Sequence, residues 1–184
     1  MSTPAAGSAT RYEIDPAHSG AAFKVRHMMI AHVKGEFTRI SGTVVFDPSN
    51  PSASQIDVTI DASSIHTREP QRDEHLRSAD FLDVAKFPNI TFRSKDVVAA
   101  GKDSFEVVGD LTIHGVTRDI ALIVDGVTPE AKDPWGNFRR GASASVTINR
   151  KDFGLHWNAP LEAGGWLIGE EVHVNIDVEM VRKG

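Results

Sequence analysis

Val172-His173-Val174-Asn175-Ile176-Asp177-Val178-Glu179-Met180 alternates without a break, with Val172, Val174, Ile176, Val178 and Met180 on one face and His173, Asn175, Asp177 and Glu179 on the other. Successive side chains on an extended backbone point to opposite sides, so this period of two predicts a β-strand with one apolar and one wet face. The pattern recurs upstream in Ile56–Asp61, where Ile56, Val58 and Ile60 oppose Asp57, Thr59 and Asp61. Weaker examples are Ala22–His27, Gly42–Phe46, Ile90–Lys95, Phe105–Ile113, Ile120–Asp125 and Ala142–Asn149, most of them bounded by Gly, Pro, Asp or Asn. Strands that are apolar on one face only must hide that face and their own edges, and a closed barrel does both. The chain is therefore expected to be all-β, an extended antiparallel β-barrel of about eight strands. Helix signals are confined to residues 70–86, where Pro70 suits a first helical turn and Ser78 or Asp80 could cap a second, giving one or two short helices.

Composition narrows the function. With 184 residues and 40% apolar residues the chain suits one domain with a real core. Lys plus Arg number 20 against 25 Asp plus Glu, a net charge of -5, so nucleic acid is not an expected partner. The absence of cysteine excludes disulfides, thiolate catalysis and cysteine-held metals. Met1–Thr10 reads MSTPAAGSAT, without the basic start and apolar run of an export signal, and is expected to be a disordered leader before a single domain over 11–184, in a cytoplasmic protein. No apolar run approaches the roughly 20 residues that span a bilayer. Asn89-Ile90-Thr91 matches a glycosylation sequon, a short pattern read here as chance.

A barrel of about eight strands either fills its interior with side chains or leaves room for one small ligand. Ala21, Ala144 and Gly109 stand among larger inward candidates such as Phe23, Phe92, Phe105 and Leu111, and small inward residues leave space. Phe153-Gly154-Leu155-His156-Trp157-Asn158-Ala159-Pro160-Leu161, then Gly164-Gly165-Trp166-Leu167-Ile168, is aromatic, glycine-rich and not strictly alternating, as suits a segment that closes or lines a pocket mouth. Plain packing of these aromatics in a filled core is the other reading.

The polar constellations point away from catalysis. His27 and His32 lie five apart with no carboxylate or cysteine between them, so no metal site is expected and His27 reads as a hydrogen-bonded barrel histidine or a polar contact at the pore. Arg68, Arg72, Asp73, His75, Arg77 and Asp80 have the residue types for acid–base work or anion binding. In a helix, however, Asp73 and Arg77 are four apart and are expected to form a surface ion pair. Arg72 or His75 could still meet a polar or diphosphate head group beside the mouth. Ser63-Ser64-Ile65-His66 reads as a loop, and there is no G-x-S-x-G, no Walker loop and no G-x-G-x-x-G, so no nucleotide cofactor is expected.

Several blocks in order resemble the YceI-like family of lipocalin-like proteins. These are Asp15-Pro16-Ala17-His18-Ser19, Phe23, Arg26-His27, Val33-Lys34-Gly35-Glu36-Phe37, the run from Arg72 to Phe81, Lys86-Phe87-Pro88-Asn89-Ile90-Thr91-Phe92, the run from Gly109 to Arg118, and Ile148 to Gly154. The resemblance spans about Tyr12 to Met180. It implies a barrel whose long apolar pore holds a polyisoprenoid, an isoprenoid quinone or a fatty acid derivative, for transport, storage or sequestration during stress, in a bacterial protein that is not an enzyme. The amphiphilic lipid is then the ligand and no further cofactor is implied. Phe23, His27, Phe37, Phe81, Phe92, Leu111, Ile113, Phe153, Trp157 and Trp166 are the candidate wall, and Arg72 and His75 the head-group candidates. Two rivals remain, a lipid-acting enzyme using His27, His75 or Arg72 and a ligand-free interaction module. An open strand edge would let two copies pair.

Overall fold

Twelve strands and one α-helix follow from these patterns in a computed structural model that describes residues 9–184. The strands are β1 (Thr10–Ile14), β2 (Gly20–His27), β3 (Ala31–Phe37), β4 (Ile40–Phe46), β5 (Gln55–Asp61), β6 (Ile65–His66), β7 (Asn89–Gly101), β8 (Ser104–Ile113), β9 (Val116–Asp125), β10 (Ala131–Lys132), β11 (Phe138–Asn149) and β12 (Ile168–Arg182). The helix, α1, is Pro70–Arg77. Each of the alternating segments is a strand. Most of the expected leader lies outside the described residues, but Thr10, assigned to it, opens β1.

The strands close an all-antiparallel barrel in the order β1, β4, β5, β7, β8, β9, β11, β12 and back to β1, which is the eight-strand closure expected. Strand β12 holds the ring together. One edge pairs with β11 from Arg139↔Val181 to Asn149↔Glu171. Its other edge pairs with β1 through Met180–Arg182 and with β2 through Ile168–Asp177. Segments β2, β3 and β6 prolong β1, β4 and β5 past bends, so the barrel wall rises higher on that side. The lacing is thin between β9 and β11, where only Asp125, Val124 and Ile123 pair with Ser143, Ala144 and Ser145.

Strand β3 escapes the sequence pattern because its inward positions are Val33, Gly35 and Phe37, and a glycine interrupts the apolar count. A Cβ on Gly35 would collide with the Phe23 ring and lie 2.8 Å from Thr67 Cγ2, so the glycine is the slot that admits Phe23.

Helix α1 starts as expected, with Pro70 in its first turn and the Glu69 side chain accepting from the Gln71 amide. The expected surface pair between Asp73 and Arg77 does not form. Asp73 is buried and accepts from the Thr67 amide at 2.9 Å and from its hydroxyl. Arg72 donates to the Thr67 hydroxyl and carbonyl at 2.8 and 2.7 Å, and Arg77 donates to the Ser63 and Ile65 carbonyls, both at 2.9 Å. Peptide groups around the short β6 lack a full sheet partner, and these side chains satisfy them. Of the one or two short helices expected over 70–86, α1 is the one α-helix among the described residues. The Leu82 and Val84 amides turn back to the Leu76 and Arg77 carbonyls, Asp83 takes a positive φ of 48°, and the chain is used up capping α1.

The end opposite α1 is sealed by Tyr12, Ile14, Val44, Phe46 and Met180, with Phe46 and Phe105 edge to face at 5.5 Å. Outside this plug Arg139 donates to Asp15 at 2.8 Å, Asp133 at 2.7 Å and Glu179 at 3.0 Å, pinning three segments. Asp15, His18 and Glu179 present donor atoms within 4.8 Å of one another, a grouping that could hold a cation, but the Arg139 guanidinium already supplies the positive charge. Hydrogen bonds from His18 and then Arg139 hold the Asp15 carboxyl at about 2, and Arg139 holds Asp133 at about 2. Carboxylates depressed in the folded state stabilise it above their ordinary range, and that contribution is lost as pH falls from about 4 through about 2. Thermal melts of an Arg139→Met variant are therefore expected to show a lower Tm at neutral pH and a smaller further drop on acidification than the parent.

Candidate ligand-binding site

The inner faces of the strands carry Val172, Val174, Ile176 and Val178 from β12, Ala142, Ala144, Val146 and Ile148 from β11, and Ile120, Leu122 and Val124 from β9, with Ile56, Val58 and Ile60 of β5 across from them. These side chains surround a cavity of about 650 Å³. The volume lies within the roughly 300–1,000 Å³ of small-molecule sites. Val172, Val174 and Ile176 face inward yet are only half-buried, because what they face is the cavity and not other side chains. β-Branched and small residues of this kind are too short to meet across a barrel of this girth. The interior is thus neither solidly packed nor lined with charge. Gly109 contributes nothing to it, since the Phe92 ring lies 2.6 Å from where its Cβ would be and fills the space the glycine leaves.

Polar groups collect at the α1 end. His27, Arg72, His75 and Arg150 border the cavity there, with Glu69 the one carboxylate among the described lining residues. Trp157, His75 and Phe81 form an aromatic corner, with ring centroids 4.7 Å apart for His75–Trp157, 5.0 Å for His75–Phe81 and 5.2 Å for Phe81–Trp157. The His75 Nε2 is 2.8 Å from Asp80, which fixes the ring's orientation. Arg72 is tied to Thr67 by Nε and one terminal nitrogen, leaving the other terminal nitrogen without a protein partner among the described residues.

The cavity is lined by Phe23, His27, Phe37, Phe81, Phe92, Leu111, Ile113 and Trp157 of the candidate wall and by both head-group candidates, Arg72 and His75. Two candidates are elsewhere. Phe153 is 1% exposed and packs behind the wall with Ile113 and Leu82, as the anchor of the turn that follows β11. Trp166 is 58% exposed, because Gly164 and Gly165, at positive φ of 90° and 86°, turn the chain so that its ring faces outward. His27 is at the rim as expected of a pore contact, and among the described residues its ring has no hydrogen-bond partner, so it is not the bonded barrel histidine.

One functional residue was not anticipated. Arg150, 4% exposed, donates to the carbonyls of Gly169 at 2.8 Å, Leu155 at 2.7 Å and Trp157 at 2.9 Å, and so folds the 155–169 segment over the rim. Burial pushes its pKa below the ordinary arginine value, while Glu170 opposes the shift. A signal exists in retrospect, since a segment of aromatics and glycines that does not alternate cannot satisfy its carbonyls in a sheet and needs a multi-donor side chain nearby.

A closed antiparallel barrel with a helix at one end and an apolar internal cavity places the protein in the lipocalin-like class of architectures. More narrowly, the chain belongs to the YceI-like family, whose domain model matches residues 12–180. A UPF0312 protein of Vibrio cholerae is 40% identical over 157 residues, 84% of this chain and 82% of its own length. Another, from Shewanella baltica, is 38% identical over 98% of this chain and 92% of its own. Among solved structures, a Campylobacter jejuni YCEI protein matches with a TM-score of 0.73 at 31% identity, covering 86% of this chain and 90% of that one. A polyisoprenoid binding domain from Saccharophagus degradans shares the fold, with a TM-score of 0.68 at 18% identity over 94% of this chain and 98% of its own.

Arg150→Met would leave the half-buried Leu155, Trp157 and Gly169 carbonyls without this donor, and we expect a loss of about 2–4 kcal/mol in urea unfolding, with faster amide exchange concentrated in residues 155–169. Gly109→Ala is expected to cost about 1–3 kcal/mol by driving its Cβ into the Arg93 carbonyl oxygen and the Phe92 ring.

Proposed function

We propose that the protein binds one long apolar molecule, an isoprenoid or fatty acid derivative, with its tail in the barrel and its polar end at the rim, and releases it chemically unchanged. The observation that carries this reading is the division of the cavity into an apolar shaft and a single polar, predominantly basic rim. A molecule of matching polarity has a greasy chain and one polar or anionic head. Each buried methylene contributes on the order of 0.8 kcal/mol, so one five-carbon isoprene unit contributes roughly 3–4 kcal/mol gross. Association costs about 4–15 kcal/mol, so several units in the shaft outweigh it without a charged anchor, and head-group selection is expected to be loose. The family membership and the fold shared with a polyisoprenoid binding domain support the same reading.

At the rim, the free Arg72 nitrogen and the unpartnered His27 ring are the groups available to a head group. Trp157, apolar in body with one N–H donor, suits the boundary between tail and head. The His75–Asp80 pair favours a second reading, hydrolysis or isomerisation of the bound lipid, because a carboxylate-oriented imidazole beside a cavity is what general base catalysis uses. One experiment separates the two. Solvent extraction of the natively purified protein, followed by mass spectrometry, is expected to return a stoichiometric lipid of one chemical form, equally from the parent and from His75→Gln. A mixture of substrate and product in the parent that collapses to one species in His75→Gln would establish the enzyme instead, and an empty extract with no lipid-induced rise in Tm would remove ligand binding altogether. We further expect Ala144→Trp, which fills the shaft, and Trp157→Asp, which charges its mouth, each to weaken binding of a solubilised fatty probe by at least about tenfold while the barrel's circular dichroism persists.

A further inference from the structure

The β2–β3 hairpin ends in a turn that is unusual twice over. Met28, Met29 and Ile30 form its tip and are 44%, 59% and 81% exposed. The turn closes with the Ile30 amide donating to the His27 carbonyl at 3.1 Å, and its central residues, Met28 and Met29, both take positive φ, 52° and 58°. That is the geometry of a type I′ turn, which favours Asn-Gly and penalises bulky side chains. Two methionines at those positions cost stability and present apolar surface to water, a combination that folding alone does not explain.

The tip has an apolar neighbour. The Met28 amide donates to the Leu167 carbonyl at 2.7 Å, and the Met29 sulfur occupies the space beside Gly165, so the hairpin tip and the 160–167 loop form one surface that includes the exposed ring of Trp166. Directly behind the tip the outer face of the hairpin carries Lys24 opposite Lys34 and Arg26 opposite His32, all exposed. Lys24 and Lys34, like charges placed across a strand pair, repel, and neither they nor Arg26 have a carboxylate partner among the described residues, although Glu36 and Glu171 stand at the margins. In a chain of net charge -5 this is a local concentration of positive charge against the overall sign.

We propose that this surface docks the barrel onto an anionic lipid bilayer, with Met28, Met29, Ile30 and Trp166 entering the interface and the Lys24–Arg26–His32–Lys34 ladder meeting the head groups. Unbranched thioether side chains and an indole are suited to the irregular boundary between acyl chains and head groups. Cations set just behind an apolar tip are placed where anionic lipids attract them. The docked orientation brings His27 and Leu167, which border both the tip and the cavity, to the membrane. No helix among the described residues is long and apolar enough to cross a membrane, and docking of this kind needs none. The choice of a bilayer over a protein partner rests on the apolar-ligand reading, because a greasy cargo resides in membranes and its exchange without passage through water requires rim-to-bilayer contact.

Flotation with vesicles of phosphatidylcholine, with and without phosphatidylglycerol, tests the proposal. The parent is expected to float with the phosphatidylglycerol vesicles and to be released by high salt. The triple variant Met28→Asn/Met29→Gly/Ile30→Ser, which installs the residues the turn prefers and so keeps or raises Tm, is expected to lose vesicle affinity by at least about tenfold. Lys24→Gln/Lys34→Gln is expected to lose the preference for anionic vesicles and keep its fold. Failure of the parent to float, or flotation of the triple variant equal to the parent's, would overturn the proposal. So would sedimentation equilibrium showing that the tip joins two copies in the absence of vesicles. The cavity reading is scored separately: Ala144→Trp is expected to float normally while failing to hold a solubilised fatty probe, and the triple variant is expected to do the reverse.

Discussion

Bonding of β12 along its whole length to three neighbours is the constraint on which the rest of the barrel depends. A sheet of alternating strands exposes a row of unpaired amides and carbonyls at each edge unless the last strand finds the first. Here β12 joins β11 to β1 and β2, and once it does so its inward valines and isoleucine are committed to a closed interior. The dimensions of that interior are then set by strand number, not by side-chain volume. Residues such as Val174, Ile176, Ala144 and Val146 cannot fill it, and a cavity of about 650 Å³ follows from closure.

The two ends of the shaft differ because different side chains terminate it. At one end Tyr12, Phe46 and Phe105 are large enough to meet, and Arg139 fastens the loops outside them to Asp15, Asp133 and Glu179. At the other end the two-residue β6 is the last strand and pairs only with β3. Peptide groups at and around β6 are satisfied by Asp73, Arg72 and Arg77 from α1, and those of the rim segment by Arg150. Using charged side chains as backbone partners makes that end polar as a by-product. The same substitution of side chains for strands leaves His27 and part of Arg72 available at the mouth.

Strands were legible in the sequence where a long run has one apolar and one wet face, so that β12, β5 and β11 read directly from their period, whereas the five-residue β1, with Tyr12 and Ile14 opposite Arg11 and Glu13, did not. Strand β3 did not, because a glycine stands where Phe23 needs room. Of the one or two short helices expected over 70–86 one forms, since the residues after Ser78 turn back to close α1 and do not begin another. Of the wall candidates, those on alternating strands line the cavity. Phe153 and Trp166, expected at the pocket mouth from their aromatic, glycine-rich segment, do not, because a 3₁₀ turn and a pair of left-handed glycines set their direction where no period operates. Arg150 stayed hidden because its role depends on carbonyls that only the folded chain brings together.

The central claim, that the barrel encloses an apolar hollow occupied by a chain-like ligand, is tested most directly by a crystal structure of protein purified without detergent or added lipid. Continuous chain-like density running from Trp157 past Val174 and Leu122 toward Phe46, with no ordered water along the shaft, is the predicted result. A shaft collapsed onto its own side chains, or threaded by a hydrogen-bonded file of waters, would contradict it.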